Sequence, residues 1–122
     1  MKLYVDDLRK CPDGWFLARN NTDAIRLIYW NAPLEEISID HDICTPFSGE
    51  LSDGVKRRLQ IGAETFQPCV YYIAALASEL RPKKITIHTA NIVAGLTMVK
   101  FLEDAGIEAT YLKGNYQIED IP

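Results

Sequence analysis

Polar side chains that could bind or activate a phosphate group collect at four points along this 122-residue sequence. Two clusters are acidic, Asp6-Asp7 and Asp40-His41-Asp42, and a third is His88-Thr89-Ala90-Asn91. Each follows a short apolar run, and a fourth such run ends in Lys113. Carboxylates are the oxygen ligands that hard cations prefer, and histidine titrates near neutral pH. These residue types favour phosphate-directed chemistry, as binding or as catalysis.

Predicted strands and helices alternate along the chain, which indicates an α/β layered domain. We expect a mostly parallel sheet of four or five strands flanked by about three helices, in a single domain spanning residues 1–122. Ligands of such sheets bind outside the carboxyl ends of the strands, so the four polar clusters should converge there. The predicted strands are Lys2–Val5, the short extended segment Trp15–Ala18, Glu36–Asp40, Lys84–His88 and Glu108–Lys113.

Apolar residues at helical spacing predict the inward face of each helix. The first helix is capped within Asn20–Thr22 and ended by Pro33, the second begins after Thr65 with Pro68 in its first turn, and the third is capped by Asn91 and stopped by Gly106. The predicted inward residues are Ala24, Ile25, Leu27 and Ile28 in the first helix, Phe66, Val70, Ile73, Ala77 and Leu80 in the second, and Val93, Leu96, Val99 and Leu102 in the third.

The segment at residues 43–64 loses this periodicity and carries the basic run Lys56-Arg57-Arg58. Loops of this length are usually functional or disordered, and arginine forks match phosphate oxygens. A run of charges is more often a solvated face, but the long irregular loop favours a role in binding. Residues 54–100 carry seven bases and two acids, so a locally positive site fits within a chain of net charge -4.

Composition excludes several classes of protein. An apolar share of 48% and a charged share of 25% are those of an ordinary globular domain and not of a disordered chain. The acidic pI of about 5.1 argues against binding long nucleic acids, and no apolar run is long enough for a membrane span. Three cysteines without a CxxC spacing indicate reduced thiols and a cytoplasmic location.

Each polar cluster also has a structural interpretation. Asp6-Asp7 could hold a cation, or one acid could end the strand while the other pairs with Arg9. Asp40-His41-Asp42 fits a pocket wall and a structural network equally well, and catalysis less well. His88–Asn91 could present helix N–H groups to an anion, while Asn91 caps the helix and His88 is a satisfied core histidine; both can hold together.

Aromatic residues suggest two further contacts. Arg9 and Arg19 flank Trp15, an arrangement that could stack a purine while the arginines bind phosphates, although such a tryptophan is more often a core or subunit-contact residue. Trp30 and Tyr71-Tyr72 suggest an interface between protomers, because aromatic residues are enriched at interfaces.

The order of the motifs resembles known families. Asp6, Asp7, Asp40, Thr89 and Lys113 stand where response-regulator receiver domains carry their Mg²⁺-binding acids, phosphoacceptor aspartate, Thr-Ala and lysine. A closer resemblance, to the cyclic-phosphate-processing receiver-domain family, rests on these segments: Val5–Arg9, Pro12–Trp15, Ala18-Arg19, Ile37–Asp42 and His88–Asn91.

Within that family, the short length, the basic loop and the helix start Thr65-Phe66-Gln67-Pro68 resemble the phage Thoeris anti-defence sponge proteins. That resemblance implies a homo-oligomer, at least a dimer, that binds a cyclic ADP-ribose-type signal, or a cyclic oligonucleotide, in the host bacterial cytosol without cleaving it. It implies no cofactor, catalytic residue or metal ligand. The expected ligand-binding residues are Arg9, Trp15, Arg19, Arg57, Arg58, His88, Thr89 and Asn91. The alternatives are a Mg²⁺-dependent phosphoesterase acting on cyclic phosphates and, third, a phosphoacceptor receiver.

Overall fold

The computed structural model describes residues 1–41 and 65–113, in which five parallel strands form one sheet with the order β2-β1-β3-β4-β5. The predicted loop at residues 43–64 lies outside the described residues. A layered α/β domain with three helices is therefore confirmed. In chain order the elements are β1 (Lys2–Val5), β2 (Phe16–Ala18), α1 (Asn21–Asn31), β3 (Glu36–Ile39), α2 (Gln67–Ala75), a 3₁₀ turn (Ser78–Leu80), β4 (Ile85–Thr89), α3 (Ile92–Asp104) and β5 (Thr110–Lys113).

The pleat of the strands divides the sheet into an apolar face and a polar face. Alternate residues of a strand point to opposite sides, and the three central strands alternate in step because they pair in register. The apolar face packs against α1, α2 and α3, which lie side by side and complete one hydrophobic core. The strand residues of this core are fully or almost fully buried: Leu3, Val5, Ile37, Ile39, Ile85 and Ile87.

Helix boundaries follow the capping residues that the sequence predicts. The side chain of Asn20 accepts a hydrogen bond from the backbone of Asp23 at 2.8 Å, and that of Asn91 accepts one from Ala94 at 3.1 Å. Gly106 has a φ of 81°, the left-handed conformation that ends α3. Both N-caps and this stop are therefore confirmed.

The inward face of α3 differs from the prediction. Val93 and Leu96 were expected to face the core, but they are 77% and 52% exposed. A constant spacing of three residues drifts around a helix of 3.6 residues per turn, so the start of the predicted face rotates into solvent. The residues that α3 buries are Gly95, Met98, Val99 and Leu102.

The second helix is also shorter than predicted. It ends at Ala75, because Leu76 adopts an extended conformation with a ψ of 147°. Ala77 and Leu80, which would have continued its inward face, are exposed instead. The prediction was wrong there because a periodic apolar pattern does not mark where the backbone leaves the helix.

Gly95 lies where α3 approaches the sheet most closely. A Cβ at this position would collide with the Cε1 atom of Tyr111 and would lie 2.9 Å from Cγ2 of Thr89. The ring of Tyr111 is also held by its hydroxyl, which donates to the backbone oxygen of Thr89 at 2.9 Å. We expect Gly95→Ala to lower the free energy of unfolding by about 1–3 kcal/mol in a urea titration. The control Thr97→Ala, on the exposed side of α3, should change it by less than about 0.5 kcal/mol, and equal losses would contradict this packing.

Two sequence-level exclusions also concern the described residues. Within residues 1–41 and 65–113, no helix combines the length and the apolar character that crossing a membrane requires. Cys11 and Cys69 are free thiols, as predicted, and burial raises the pKa of the Cys69 thiol to about 12. Cys44 lies outside the described residues.

Candidate functional site

The polar face of the sheet gathers four functional side chains from three different strands. Ser38 lies in β3 and Asp40 directly follows it, Asp6 follows β1 on one side of β3, and His88 lies in β4 on the other side. In the register of the sheet, Asp6, Asp40 and His88 are at equivalent positions and Ser38 is two residues before Asp40. All four side chains therefore project from the face opposite the hydrophobic core. Their burial is nearly complete, with exposed fractions from 0% to 7%.

Asp6 is the hub of this cluster. Its Oδ1 accepts backbone hydrogen bonds from Leu8 and Arg9, both at 2.9 Å. Its Oδ2 accepts from the guanidinium of Arg9 at 3.0 Å and contacts Nε2 of His88 at 2.8 Å. Burial opposes ionisation, but these hydrogen bonds outweigh it and hold the pKa of Asp6 below its ordinary value. The structural interpretation, in which one acid of the pair binds Arg9, is confirmed for Asp6.

His88 is clamped between Asp6 and Ser38. Its Nε2 faces the Asp6 carboxylate, its Nδ1 lies 2.6 Å from Oγ of Ser38, and its ring stacks on Tyr4 with centroids 4.5 Å apart. Burial lowers the pKa of the imidazole despite the neighbouring carboxylate. The order Ser38–His88–Asp6 is that of a nucleophile, a base and an orienting acid, although the serine meets Nδ1 instead of Nε2. Both ring nitrogens of His88 are thus satisfied, as the structural interpretation predicted, but the ring lies on the polar face of the sheet and not in the hydrophobic core.

Asp40 is held in a different electrostatic environment. Its pKa is raised to about 7, mainly by burial and also by the negative charges of Asp6 and Asp7, while a backbone hydrogen bond from His41 and the guanidinium of Arg9 oppose the shift. That backbone bond, from the N–H of His41 to Oδ1 of Asp40, is 2.7 Å long. Near neutral pH Asp40 is therefore a carboxyl group poised between its two protonation states.

The raised pKa of Asp40 predicts a pH-dependent stability. The folded protein binds this proton more tightly than the unfolded chain, so ionisation of Asp40 removes stability as pH rises from about 4 to about 7. The slope from this group is at most about 1.4 kcal/mol per pH unit. Asp40→Asn should keep the His41 hydrogen bond and abolish the loss, so its melting temperature should exceed that of the wild type by more at pH 8 than at pH 5. Parallel pH profiles for the two proteins would contradict the assignment.

Receiver domains imply a divalent cation, and the geometry of the acidic cluster shows whether these residues fit one. Asp6, Asp7 and Asp40 can each offer one oxygen within 4.8 Å of the others. However, Asp6 already receives four hydrogen bonds, which is the full capacity of a carboxylate. The Arg9 guanidinium also lies 3.9 Å from Oδ1 of Asp40, so it supplies positive charge to both acids. The described residues do not fit a three-carboxylate cation site unless Asp6 gives up one of these donors.

A concavity of about 390 Å³ opens over the same face of the sheet. Tyr4 and Trp15 form one side of it, with their rings edge to face at a centroid distance of 6.2 Å. Ser38 and His88 form its floor, so the buried hydrogen-bond chain ends at its surface. The complete lining is Tyr4, Pro12, Trp15, Glu36, Ser38, Lys84, Thr86, His88 and Leu112.

The structure distributes the predicted site residues over three places. Trp15 and His88 line the concavity. Arg9 is buried against the carboxylates, and Arg19 lies behind it, donating to the backbone oxygens of Arg9 at 3.0 Å and Asp6 at 3.4 Å. Thr89 ends β4 and Asn91 caps α3, and Oγ1 of Thr89 accepts from the backbone of Asn91 at 3.1 Å.

The cluster His88–Asn91 is therefore split between the two faces of the sheet. Thr89 alternates with His88, is 1% exposed, and faces α3 instead of the concavity. Asp42, Lys56, Arg57 and Arg58 lie outside the described residues, and so does the side chain of Lys113. Ligand contact by any of these residues stays a prediction.

Sequence reasoning did not single out Ser38 or Tyr4. Both interrupt otherwise apolar strands with polar atoms, Ser38 between Ile37 and Ile39 and Tyr4 between Leu3 and Val5. In a sheet with one face on the main core, polar atoms at alternate positions mark the opposite face. This alternation is the sequence signal that could have identified Ser38 and Tyr4.

Comparison with known proteins yields one family. The family described as "Cyclic-phosphate processing Receiver domain" matches residues 1–104. A search of curated proteins and a search of solved structures each found no match. The matched range contains every described residue of the hydrogen-bonded cluster and all of the concavity lining except Leu112.

Proposed function

Because the chain belongs to the cyclic-phosphate processing receiver domain family, we propose that it binds and sequesters a cyclic ADP-ribose-type signalling nucleotide without cleaving it. The resemblance to phage Thoeris anti-defence sponges supplies the biological setting. In that setting the protein blocks antiviral signalling in the cytosol of a bacterial host. Cyclic oligonucleotides are a second class of ligand within the same proposal.

The observation that carries the binding proposal is the preformed concavity on the polar face. Its volume of about 390 Å³ lies within the range of small-molecule sites. The rings of Tyr4 and Trp15 offer an aromatic side for a nucleobase. Lys84 at its edge pairs with Glu36 at 3.6 Å, and its side chain is 67% exposed, so a phosphate would have to compete with that carboxylate for it. The stacking of Tyr4 on His88 fixes this wall before any ligand arrives.

Sequestration, as opposed to turnover, is supported by how the polar groups are already used. Asp6 accepts four hydrogen bonds and both ring nitrogens of His88 have partners. A group that is saturated by its own protein stabilises the fold and orients its neighbours. The described residues of the cluster are therefore better suited to forming a rigid binding wall than to exchanging ligands on a metal.

A pair of aromatic variants tests binding at this site. Cyclic ADP-ribose titrated into the wild-type protein by calorimetry should bind saturably. Trp15→Ala should weaken that binding by about tenfold or more, because a stacking platform is lost. Phe16→Ala, which removes an exposed ring at the start of β2, should leave it unchanged. Absence of wild-type binding to both cyclic ADP-ribose and cyclic oligonucleotides would refute the proposal, and equal affinities of the two variants would place the site elsewhere.

The phosphoesterase alternative is favoured by one observation, the proximity of Asp6, Asp7 and Asp40. It predicts cleavage of cyclic phosphates that depends on added divalent ions and that Asp40→Asn abolishes. Unchanged ligand after long incubation with Mg²⁺ or Mn²⁺ would rule it out.

We also propose that the protein is at least a dimer. Trp30 and Tyr71, the aromatic residues that suggested an interface, are 74% and 51% exposed. Tyr71 packs against Phe101 at a ring distance of 4.9 Å, which extends the apolar surface across α2 and α3. Tyr72 is instead packed against the core. Light scattering should give a mass of at least twice 13.8 kDa, and a monomer at micromolar concentration would contradict this proposal.

A further inference from the structure

The hydrogen-bond chain Ser38–His88–Asp6 has a fixed direction. Asp6 is ionised and can only accept, so Nε2 of His88 carries the hydrogen that lies between them. A neutral imidazole has one donor and one acceptor nitrogen, which leaves Nδ1 as the acceptor. At 2.6 Å from Nδ1, the Ser38 hydroxyl must therefore point its hydrogen at His88.

The consequence appears at the floor of the concavity. Ser38 lines it, and its single hydrogen is already used, so its oxygen has only lone pairs left to offer to the concavity. A serine held in this way can accept a hydrogen bond but cannot give one. A phosphate oxygen, which also only accepts, would be repelled at this position.

We propose that Ser38 determines specificity as a hydrogen-bond acceptor. A ligand must then place a nucleoside donor, either a ribose hydroxyl or a base amino group, over the floor of the concavity. This inference rests on the proposed function and adds the orientation of the ligand. The nucleoside part lies on the polar face of the sheet beside Tyr4 and Trp15. The phosphates lie toward the rim, where Lys84 is exposed.

A binding cycle tests this orientation. Ser38→Ala should weaken cyclic ADP-ribose binding about tenfold, the effect of one lost hydrogen bond in a buried site. Analogues of cyclic ADP-ribose then identify the donor. One carries hypoxanthine in place of adenine and so lacks the base amino group, and the others are deoxyribose analogues that each lack one ribose hydroxyl. For the analogue that lacks the relevant donor, wild type and Ser38→Ala should bind equally. If Ser38→Ala does not weaken cyclic ADP-ribose binding, or weakens the binding of every analogue equally, the proposal is overturned.

The direction of the chain can be measured separately on the ligand-free protein. Long-range ¹H–¹⁵N NMR of His88 should show the tautomer protonated at Nε2, and the tautomer protonated at Nδ1 would overturn the proposal. If the wild type binds no cyclic ADP-ribose, the proposed function fails for this ligand, while the tautomer still decides whether Ser38 is restricted to accepting. The NMR result also stands if Ser38→Ala does not fold.

Discussion

Replacing Asp6 with alanine should lower the free energy of unfolding by about 3–5 kcal/mol, the largest loss that we expect from any one substitution in the described cluster. The carboxylate is fully buried and accepts four hydrogen bonds, two from the backbone of Leu8 and Arg9 and two from the side chains of Arg9 and His88. Its removal leaves the guanidinium of Arg9, which is only 4% exposed, without its closest counter-charge. Chemical unfolding at pH 7 measures the effect.

Asp13→Ala is the matched control, because Asp13 is an exposed acid in the loop between β1 and β2. It should change stability by no more than about 0.5 kcal/mol. A small loss in Asp6→Ala would mean that Arg9 finds another partner, and Asp6 would not be the hub of the cluster.

Replacing Arg9 with methionine should have the second large effect, again about 3–5 kcal/mol, since methionine keeps much of the length and removes the charge. The guanidinium lies 3.0 Å from Asp6 and 3.9 Å from Asp40, so its loss leaves buried carboxylates that repel each other. The loss should be greatest above pH 7, where Asp40 is ionised, and smaller at pH 5, where Asp40 is protonated in the folded state.

The effect of divalent ions on stability tests whether Arg9 takes the place of a cation in the acidic cluster. If Arg9 supplies the positive charge that the acidic cluster needs, millimolar Mg²⁺ should raise the melting temperature of Arg9→Met and leave that of the wild type unchanged. Arg19→Met is the control, because the guanidinium of Arg19 donates to the backbone oxygens of Asp6 and Arg9. A saturable Mg²⁺-dependent stabilisation of the wild type, reversed by EDTA, would contradict the account and favour a resident cation.

The sheet and the ends of its strands could be predicted from the sequence because local signals decide them. Asn20 and Asn91 cap helices by local geometry, and Gly106 ends one because its φ is positive. The apolar runs ending at Val5, Ile39 and Ile87 placed the polar clusters at one edge of a parallel sheet. Those features depend on neighbours a few residues away, which is what a sequence displays.

The hydrogen-bond chain could not be predicted in the same way. Ser38 and His88 are 50 residues apart, and Asp6 and His88 are 82 apart, so only the register of the sheet brings them together. The pairing of β1 with β3 and of β3 with β4 decides that register. His88 and Thr89 looked like one site in the sequence, but they are consecutive residues of β4, so the alternation of the strand turns their side chains to opposite faces.

The role of Arg9 shows the same dependence on tertiary structure. Its position beside Trp15 in the chain suggested a phosphate contact, while the structure buries its guanidinium among acids. An arginine near a predicted pocket can therefore either bind a ligand phosphate or neutralise buried acids. Only the position of the carboxylates around it distinguishes these two roles. The side chains that remain accessible at the concavity are largely aromatic and neutral, which is the basis of the nucleoside-directed proposal.

The most direct test of sequestration without cleavage is the chemical state of the ligand after it has been bound. Cyclic ADP-ribose is incubated with excess protein and Mg²⁺, the complex is separated from free ligand, the protein is heat-denatured, and the released molecule is analysed by mass spectrometry. We expect intact cyclic ADP-ribose in stoichiometric amount. Recovery of a hydrolysed product, formed by the wild type and absent after treatment with Asp40→Asn, would contradict sequestration and establish catalysis at this site.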